Sequence, residues 1–319
     1  MPSRPRVLVS VVLPEDAMRR LKEVADLDVV EEAAVQRKEE LLRIIDVYDG
    51  AVVAHPPFDR EVLAKAERLK IISRHGVGYD TIDVDAARDL GIYVSVTPFH
   101  AETVADMAFA LILSAARLIL QAHLYIKSGM WRKGSDRALF IGTDVFGKTL
   151  GIIGLGRIGS VLAKRGRGFD MKVLYYDAFR NGELEKSLSF GYRSLHELLA
   201  ESDFVSIHIP FTKDTEGLIG EKELRTMKKT AILVNASRGD VVDQEALCRA
   251  LREGWIGGAA LGVFDQEPIG ADSPLLTLEN VILTPHISSM TKECRRKTAL
   301  IAVENVIRVL QGAKPLYAA

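Results

Sequence analysis

The chain has 319 residues, of which 48% are hydrophobic and 27% charged, and its formal net charge is −1. The length predicts two domains, and the composition is ordinary for a globular protein. The near-zero net charge excludes a global field that would attract nucleic acid or a membrane surface, so neither is predicted as a partner.

The N-terminal third alternates short apolar runs with helical patterns. Its first apolar run is soon ended by an acidic pair, Glu15 and Asp16, which favours a strand over a signal peptide. Alternation of this kind predicts a mostly parallel sheet covered by helices on both faces. The predicted strands are Arg6–Val12, Leu27–Val30, Ala51–Ala54, Lys70–Ser73 and Ile92–Val94, and the predicted helices are Glu15–Val24, Lys38–Ile45, Asp59–Glu67 and Val84–Asp89.

One long helix is predicted from about Ala101 to Lys127. It follows an extended segment at Thr97–Pro98, because proline disfavours helix at the preceding residue. Polar interruptions such as Asp106 and Arg117 argue against a membrane span. A helix of this length between two α/β series is a candidate subunit contact.

A second series of alternating strands and helices begins at Leu150. Six strands with intervening helices are typical of a complete dinucleotide-binding sheet. The last helix, Met290–Gln311, is predicted to return to the first domain. The six predicted strands are Leu150–Ile153, Lys172–Tyr176, Phe204–Ile209, Ala231–Asn235, Gly258–Leu261 and Val281–Leu283.

The two cysteines, Cys248 and Cys294, lie in helical patterns and lack the spacing of metal ligands. No metal site is therefore predicted. Cysteine usage of this kind favours a reducing compartment, and we expect a cytoplasmic location.

The most informative stretch is Leu150–Ser160, LGIIGLGRIGS, in which Gly154, Gly156 and Gly159 have the spacing G-x-G-x-x-G between a strand and a helix. The first glycine permits a sharp turn, the second lets backbone approach a pyrophosphate, and the third lets the helix pack closely on the strand. The helix N-terminus adds free N–H groups and a positive dipole end. The stretch predicts a dinucleotide site.

An acidic residue, Asp177, ends the next predicted strand, 18 residues beyond Gly159. A carboxylate near this spacing accepts hydrogen bonds from the adenosine ribose and repels a 2′-phosphate. The sequence therefore favours NAD over NADP as cofactor.

Three further polar residues follow predicted strands, where open α/β sheets bind their ligands. Arg238 comes after Ala231–Asn235, and a guanidinium grips a carboxylate and an adjacent carbonyl oxygen with paired donors. His286 follows Val281–Leu283, and Glu267 precedes it by 19 residues. A carboxylate beside an imidazole favours its charged form, which supplies a proton donor near neutral pH.

With these residues identified, the chain resembles the D-isomer-specific 2-hydroxyacid dehydrogenase family over essentially its whole length. Within the family it is most similar to glyoxylate/hydroxypyruvate reductases. The stretches that carry the resemblance are Gly76–Asp83 (GVGYDTID), Leu150–Ser160, Val234–Val242 (VNASRGDVV) and Val263–His286, which contains FDQEP and ends in TPH.

The resemblance implies two doubly wound parallel-sheet α/β domains around a cleft. Residues 1–100 and 287–319 would form a flavodoxin-like substrate-binding domain, and residues 101–286 a Rossmann-type dinucleotide-binding domain. It also implies a homodimer and NAD-dependent reduction of a small 2-oxo acid, glyoxylate or hydroxypyruvate, by hydride transfer.

The resemblance also assigns roles to single residues. Arg238 would orient and polarise the 2-oxo acid, His286 would donate the proton, and Glu267 would hold His286 protonated. The backbone at Val77 and Gly78 would hold the substrate carboxylate. Cofactor contacts are implied, besides the three glycines and Asp177, for Arg157, Ile158, His208, Pro210, Thr215, Ala236, Ser237, Arg238 and His286.

Other activities of the same family stay open: D-3-phosphoglycerate, D-lactate or phosphite dehydrogenase. Formate dehydrogenase is less favoured. The resemblance to that branch would imply a Gln–His pair, whereas this chain has Glu267, directly before Pro268. An alternative from another class is a NAD-sensing, corepressor-like binding protein.

The sequence departs from the family pattern at three places along the chain. Gly262 stands where an acid near the nicotinamide is usual, and Ser288 and Ser289 stand where glycines often follow TPHI. These two departures bear on how the nicotinamide ring is placed. Asp106–Met107 stands where Glu-His is common and bears on a domain or subunit contact.

Overall fold

A computed structural model of the chain describes residues 4–188 and 190–319. The described chain divides into two compact units, Met1–His100 with Met290–Ala319, and Ala101–Ser289. Each unit is built on its own sheet of parallel strands. The predicted fold class, two parallel-sheet α/β domains, is confirmed.

The first unit contains a five-stranded sheet with the order β2-β1-β3-β4-β5. Its inner strands are buried on both faces, as continuous runs of valine and isoleucine predict for a parallel sheet. The strands are β1 (Arg6–Val9), β2 (Asp26–Val29), β3 (Gly50–Val53), β4 (Ile71–Arg74) and β5 (Tyr93–Ser95). The helices of this unit are α1 (Glu15–Val24), α2 (Glu32–Val35), α3 (Lys38–Ile44), α4 (Arg60–Lys65), α5 (Val84–Asp89) and α13 (Lys292–Leu310).

Helix α13 packs on one face of this sheet. Val303 and Val306 are fully buried in the same cluster as Val7 of β1 and Ile71 of β4. The last residues of the chain then pair antiparallel with β5, because the N–H of Val96 donates to Tyr317 and that of Ala319 donates to Val94. The helix and the following tail thus complete the first unit.

The second unit contains a seven-stranded sheet with the order β12-β11-β10-β9-β6-β7-β8. The sequence predicted six of these strands and missed β8, whose two residues are too few to show a pattern. The strands are β6 (Thr149–Ile153), β7 (Lys172–Tyr176), β8 (Gly191–Tyr192), β9 (Phe204–Ile207), β10 (Ile232–Asn235), β11 (Gly258–Leu261) and β12 (Val281–Leu283). The helices are α6 (Ala101–Ala116), α7 (Ile119–Lys127), α8 (Arg157–Gly168), α9 (Gly182–Leu188), α10 (Leu195–Glu201), α11 (Glu221–Thr226) and α12 (Gln244–Glu253).

The prediction of a single long helix after Thr97–Pro98 is wrong, because the structure has two helices there, α6 and α7. Leu118 adopts a left-handed conformation with φ 51°, and the carbonyl of Ala116 accepts the N–H of Thr143 instead of a helical partner. No helix in the described ranges is by itself long and apolar enough to cross a membrane. Only α6 and α7 together meet that criterion, and they are bent by 65°.

Candidate active site

The glycine-rich turn between β6 and α8 has the geometry that its spacing predicts. Gly154 has φ 95°, a backbone conformation that residues with a side chain rarely adopt. A Cβ on Gly159 would lie 2.0 Å from the carbonyl oxygen of Gly154, so only glycine permits this close packing. A Cβ on Gly156 would project into open space, at the N-terminus of α8. Free space beside helix N–H groups fits a pyrophosphate.

Asp177 follows β7 and is held beside the glycine-rich turn. Its Oδ2 accepts the N–H of Leu155 at 2.7 Å, and its Oδ1 accepts the N–H of Phe179 at 3.1 Å. The neighbouring Arg180 is engaged by Glu185, to which its Nε and Nη2 donate at 2.8 and 2.9 Å. Hydrogen bonds, first from Arg180, lower the pKa of Glu185 to about 2, so this ion pair persists at neutral pH.

The loop after β9 carries three of the predicted cofactor residues. The ring of His208 lies 2.8 Å from the Ser206 hydroxyl, and burial lowers the pKa of His208 to about 4. Thr215 donates its hydroxyl to the carbonyl of Pro210 at 2.8 Å, which closes the loop on itself. His208 is therefore neutral at pH 7, and its role as a cofactor contact stays a prediction.

Arg238 lies on a tight turn immediately after β10. The side chain of Asn235 organises the turn: its Nδ2 donates to the carbonyl of Arg238 at 2.8 Å, and its Oδ1 accepts the N–H and the hydroxyl of Ser237. Gly239 then packs against the backbone of Phe264, where a Cβ would lie 1.9 Å from the carbonyl carbon. The side chain of Arg238, which is half-buried, thus extends from a turn whose backbone is held in place by Asn235 and Phe264.

Glu267 and His286 form the pair that their positions in the sequence predict. The Nδ1 of His286 lies 2.6 Å from Oε2 of Glu267, while Oε1 of Glu267 accepts the N–H of Phe264 at 3.1 Å. His286 has φ 47°, and its N–H donates to the carbonyls of Gly262 and Thr284. The imidazole is partly exposed, with 41% of its side-chain surface accessible.

The three predicted catalytic residues follow three neighbouring strands. Arg238 follows β10, Glu267 comes after β11, and His286 comes after β12, and these strands are adjacent in the sheet. Parallel strands end at one edge, so a cation, a carboxylate and an imidazole share that edge with the glycine-rich turn. The arrangement is suited to binding an anion and transferring a proton beside it.

Two half-buried histidines, His75 and His208, are poor candidates for the proton donor. Burial, reinforced by the charges of Arg295 and Arg74, lowers the pKa of His75 to about 4. Like His208, it is therefore neutral at pH 7 and has no proton to give as an acid. Of these three histidines, only His286 is paired with a carboxylate.

The predicted substrate cradle lies in the first unit, in the loop after β4. Gly76, which directly precedes Val77 and Gly78, has φ 152°, and its carbonyl accepts the N–H of Thr97. Within residues 4–188 and 190–319, no acceptor is found for the N–H groups of Val77 or Gly78. Backbone N–H groups that lack a partner suit an anion, and the role of these two residues in binding the substrate carboxylate stays a prediction.

The departures at Gly262 and Ser288 are close to one another. A Cβ on Gly262 would lie 3.2 Å from the Ser288 hydroxyl and 3.5 Å from that of Thr284. Ser288 is only 6% exposed, so its side chain is buried next to Gly262.

Comparisons with known proteins agree with this geometry. The model of one family, described as "D-isomer specific 2-hydroxyacid dehydrogenase, NAD binding domain", matches residues 109–288. A glyoxylate reductase of Korarchaeum cryptofilum is 46% identical over 314 residues, which are 98% of this chain and 95% of that protein.

Solved structures cover the chain equally well. The TT0316 protein of Thermus thermophilus superposes with a TM-score of 0.92 at 39% identity, covering 98% of this chain and 99% of that one. The NADPH-dependent glyoxylate/hydroxypyruvate reductase of Sinorhizobium meliloti, solved with NADP and malonate, superposes with a TM-score of 0.86 at 29% identity. That match covers 99% of this chain and 97% of the other.

Proposed function

The chain belongs to the D-isomer-specific 2-hydroxyacid dehydrogenase family, and from that premise we propose that it reduces glyoxylate or hydroxypyruvate with NADH. The observation that carries the proposal is the Glu267–His286 pair, 2.6 Å apart, on strand ends beside that of Arg238. A 2-oxo acid needs a cation for its carboxylate and an acid for its carbonyl oxygen, and these residues supply both.

Each residue has one part in this reaction. Bound NADH supplies a hydride to the substrate carbonyl carbon. Arg238 binds the carboxylate and polarises the carbonyl, and the backbone N–H groups of Val77 and Gly78 are proposed as further donors to the carboxylate. The imidazolium of His286 gives its proton to the carbonyl oxygen, and Glu267 orients the ring and stabilises its charge. The first unit is accordingly the substrate-binding domain and the second the dinucleotide-binding domain.

A substrate panel tests the proposal. We expect NADH oxidation with glyoxylate and hydroxypyruvate to exceed that with pyruvate or phosphohydroxypyruvate in kcat/KM. A preference for phosphohydroxypyruvate, or for phosphite with NAD, would assign the chain to another activity of the family. Binding of NADH without turnover of any of these compounds would favour a NAD-sensing protein instead.

We further propose that the cofactor is NAD rather than NADP. Asp177 places a carboxylate beside the glycine-rich turn, and Arg180, a possible partner for a 2′-phosphate, is held by Glu185. We expect kcat/KM with NADH to exceed that with NADPH by about a hundredfold, because like charges repel across a binding site.

Asp177→Ser should reduce this preference tenfold or more, chiefly by improving KM for NADPH. Asp46→Ser, which removes an exposed carboxylate from the first unit, is the matched control and should change nothing. An NADPH preference in the unaltered chain would refute the role of Asp177.

We also propose a homodimer formed through α7 and the segment after it. Large apolar side chains are exposed along this segment, and an apolar groove of about 230 Å³ lies between α7 and the 3-10 helix Gly134–Phe140. Clusters of this kind mark interaction surfaces. The exposed residues are Ile119, Leu120, Leu124, Ile126, Met130, Trp131, Leu139, Ile141 and Phe146.

Leu124→Asp should convert the dimer into monomers. The molar mass, measured by light scattering during size-exclusion chromatography, reports the change. Leu124 is 64% exposed, so the change does not disturb the core, whereas a charge in a dimer interface is costly. Leu90→Asp, an exposed leucine of the first unit, should leave the dimer intact. A monomeric unaltered chain would contradict the proposal.

The cytoplasm is the proposed location. Both cysteines, Cys248 and Cys294, are buried free thiols. Thiols of this kind are usual where the environment is reducing.

A further inference from the structure

Asn235 is the last residue of β10 and is only 1% exposed. In the described part of the chain, the hydrogen bonds of its side chain go to residues within the next three positions. Its Oδ1 accepts the N–H and the hydroxyl of Ser237, each at 3.1 Å, and its Nδ2 donates to the carbonyl of Arg238 at 2.8 Å. The carboxamide therefore spans the turn that carries Arg238.

The backbone of Asn235 connects the same turn to the proton donor. Its carbonyl accepts the N–H of Gly262 at 2.8 Å, and the carbonyl of Gly262 accepts the N–H of His286 at 3.1 Å. Asn235 thus contacts the turn that carries Arg238 directly, and it is connected to the backbone of His286 through Gly262. Displacement of Asn235 would change the distance between them.

The turn is also fixed from its other side. The Cα of Gly239 lies so close to Phe264 that a Cβ would meet its carbonyl carbon at 1.9 Å. The peptide group before Gly239 is held by Asn235, and Gly239 itself abuts the segment that leads to Glu267. The backbone of Arg238 is therefore clamped between two neighbours, and its side chain begins from a defined direction.

We propose that Asn235 is a positioning residue that aims the Arg238 guanidinium at the substrate carboxylate through its hydrogen bond to the Arg238 carbonyl. The position requires a neutral side chain with an acceptor and a donor at asparagine's reach. Aspartate lacks the donor and would bury a charge, and serine is too short to span the turn. The inference rests on the proposed function, because it assigns a role within that site.

The test compares Asn235→Asp with Asn280→Asp. Asn280 is a matched control, since its Nδ2 also donates to a backbone carbonyl, that of Leu251 at 3.0 Å, at the opposite end of β12. We expect Asn235→Asp to lower kcat/KM for glyoxylate about a hundredfold, because a small misplacement of a substrate-binding group is costly. The NADH dissociation constant should change less than threefold, and the control should retain its activity.

Coupling to Arg238 separates positioning from a general loss of structure. Oxalate, an unreactive dicarboxylate, is titrated into the NADH complex of Asn235→Asp, Arg238→Ala and the double variant. Asn235→Asp should weaken oxalate binding about tenfold in the unaltered background and less than twofold when Arg238 is already alanine. An equal loss in both backgrounds, or no loss in either, would overturn the proposal.

If Asn235→Asp does not fold, Asn235→Ser, which is neutral, is measured in the same cycle with the same expected outcome. The two proposals fail differently. An unaltered chain that turns over no 2-oxo acid contradicts the proposed function, whereas the oxalate cycle decides the role of Asn235 independently of turnover.

Discussion

Arg238→Ala is expected to lower kcat/KM for glyoxylate by about a thousandfold, the loss typical when a charged donor to the transition state is removed. The guanidinium supplies paired donors to a carboxylate and a carbonyl oxygen, and alanine supplies none. The rate of NADH oxidation under steady-state conditions measures the effect.

Arg238→Lys separates charge from geometry. Lysine retains the positive charge but not the planar pair of donors, so we expect an intermediate loss. Arg225→Ala is the control, because Arg225 pairs with Glu221 on α11. Near-normal kcat/KM in Arg238→Ala would remove this residue from the site.

His286→Asn is expected to lower kcat by about a thousandfold, which lies within the usual range for removal of a general acid. Asparagine resembles one edge of the imidazole but cannot carry the proton that the carbonyl oxygen requires as hydride arrives. The binding of NADH should change little, and a fluorescence titration measures it. A variant that retains most of its turnover would show that the proton comes from elsewhere.

The sequence predicts those parts of the fold that depend on local pattern. Runs of valine and isoleucine mark buried strands, and the polar residues that follow them mark strand ends. Because parallel strands end at one edge, Arg238, Glu267 and His286 are predicted to be neighbours before any coordinates are known.

The rest depends on contacts between distant segments, which no local pattern contains. The break between α6 and α7 is stabilised by the N–H of Thr143, which reaches the carbonyl of Ala116 across many residues. Similarly, the stretch VNASRG does not show which groups Asn235 contacts. The one feature visible in the sequence is that a polar side chain ends an apolar strand.

The two outer strands of the first sheet are protected in different ways from pairing with another molecule. In β2, Asp26 and Asp28 form ion pairs with arginines, and charges along an outer strand oppose its pairing with a strand of another molecule. Beside β5, Tyr317 and Ala319 occupy the hydrogen-bonding groups that a foreign strand would need. Two different features therefore protect this sheet from fibre-like association. Charged side chains protect the edge at β2, and the backbone of the C-terminal tail protects the edge at β5.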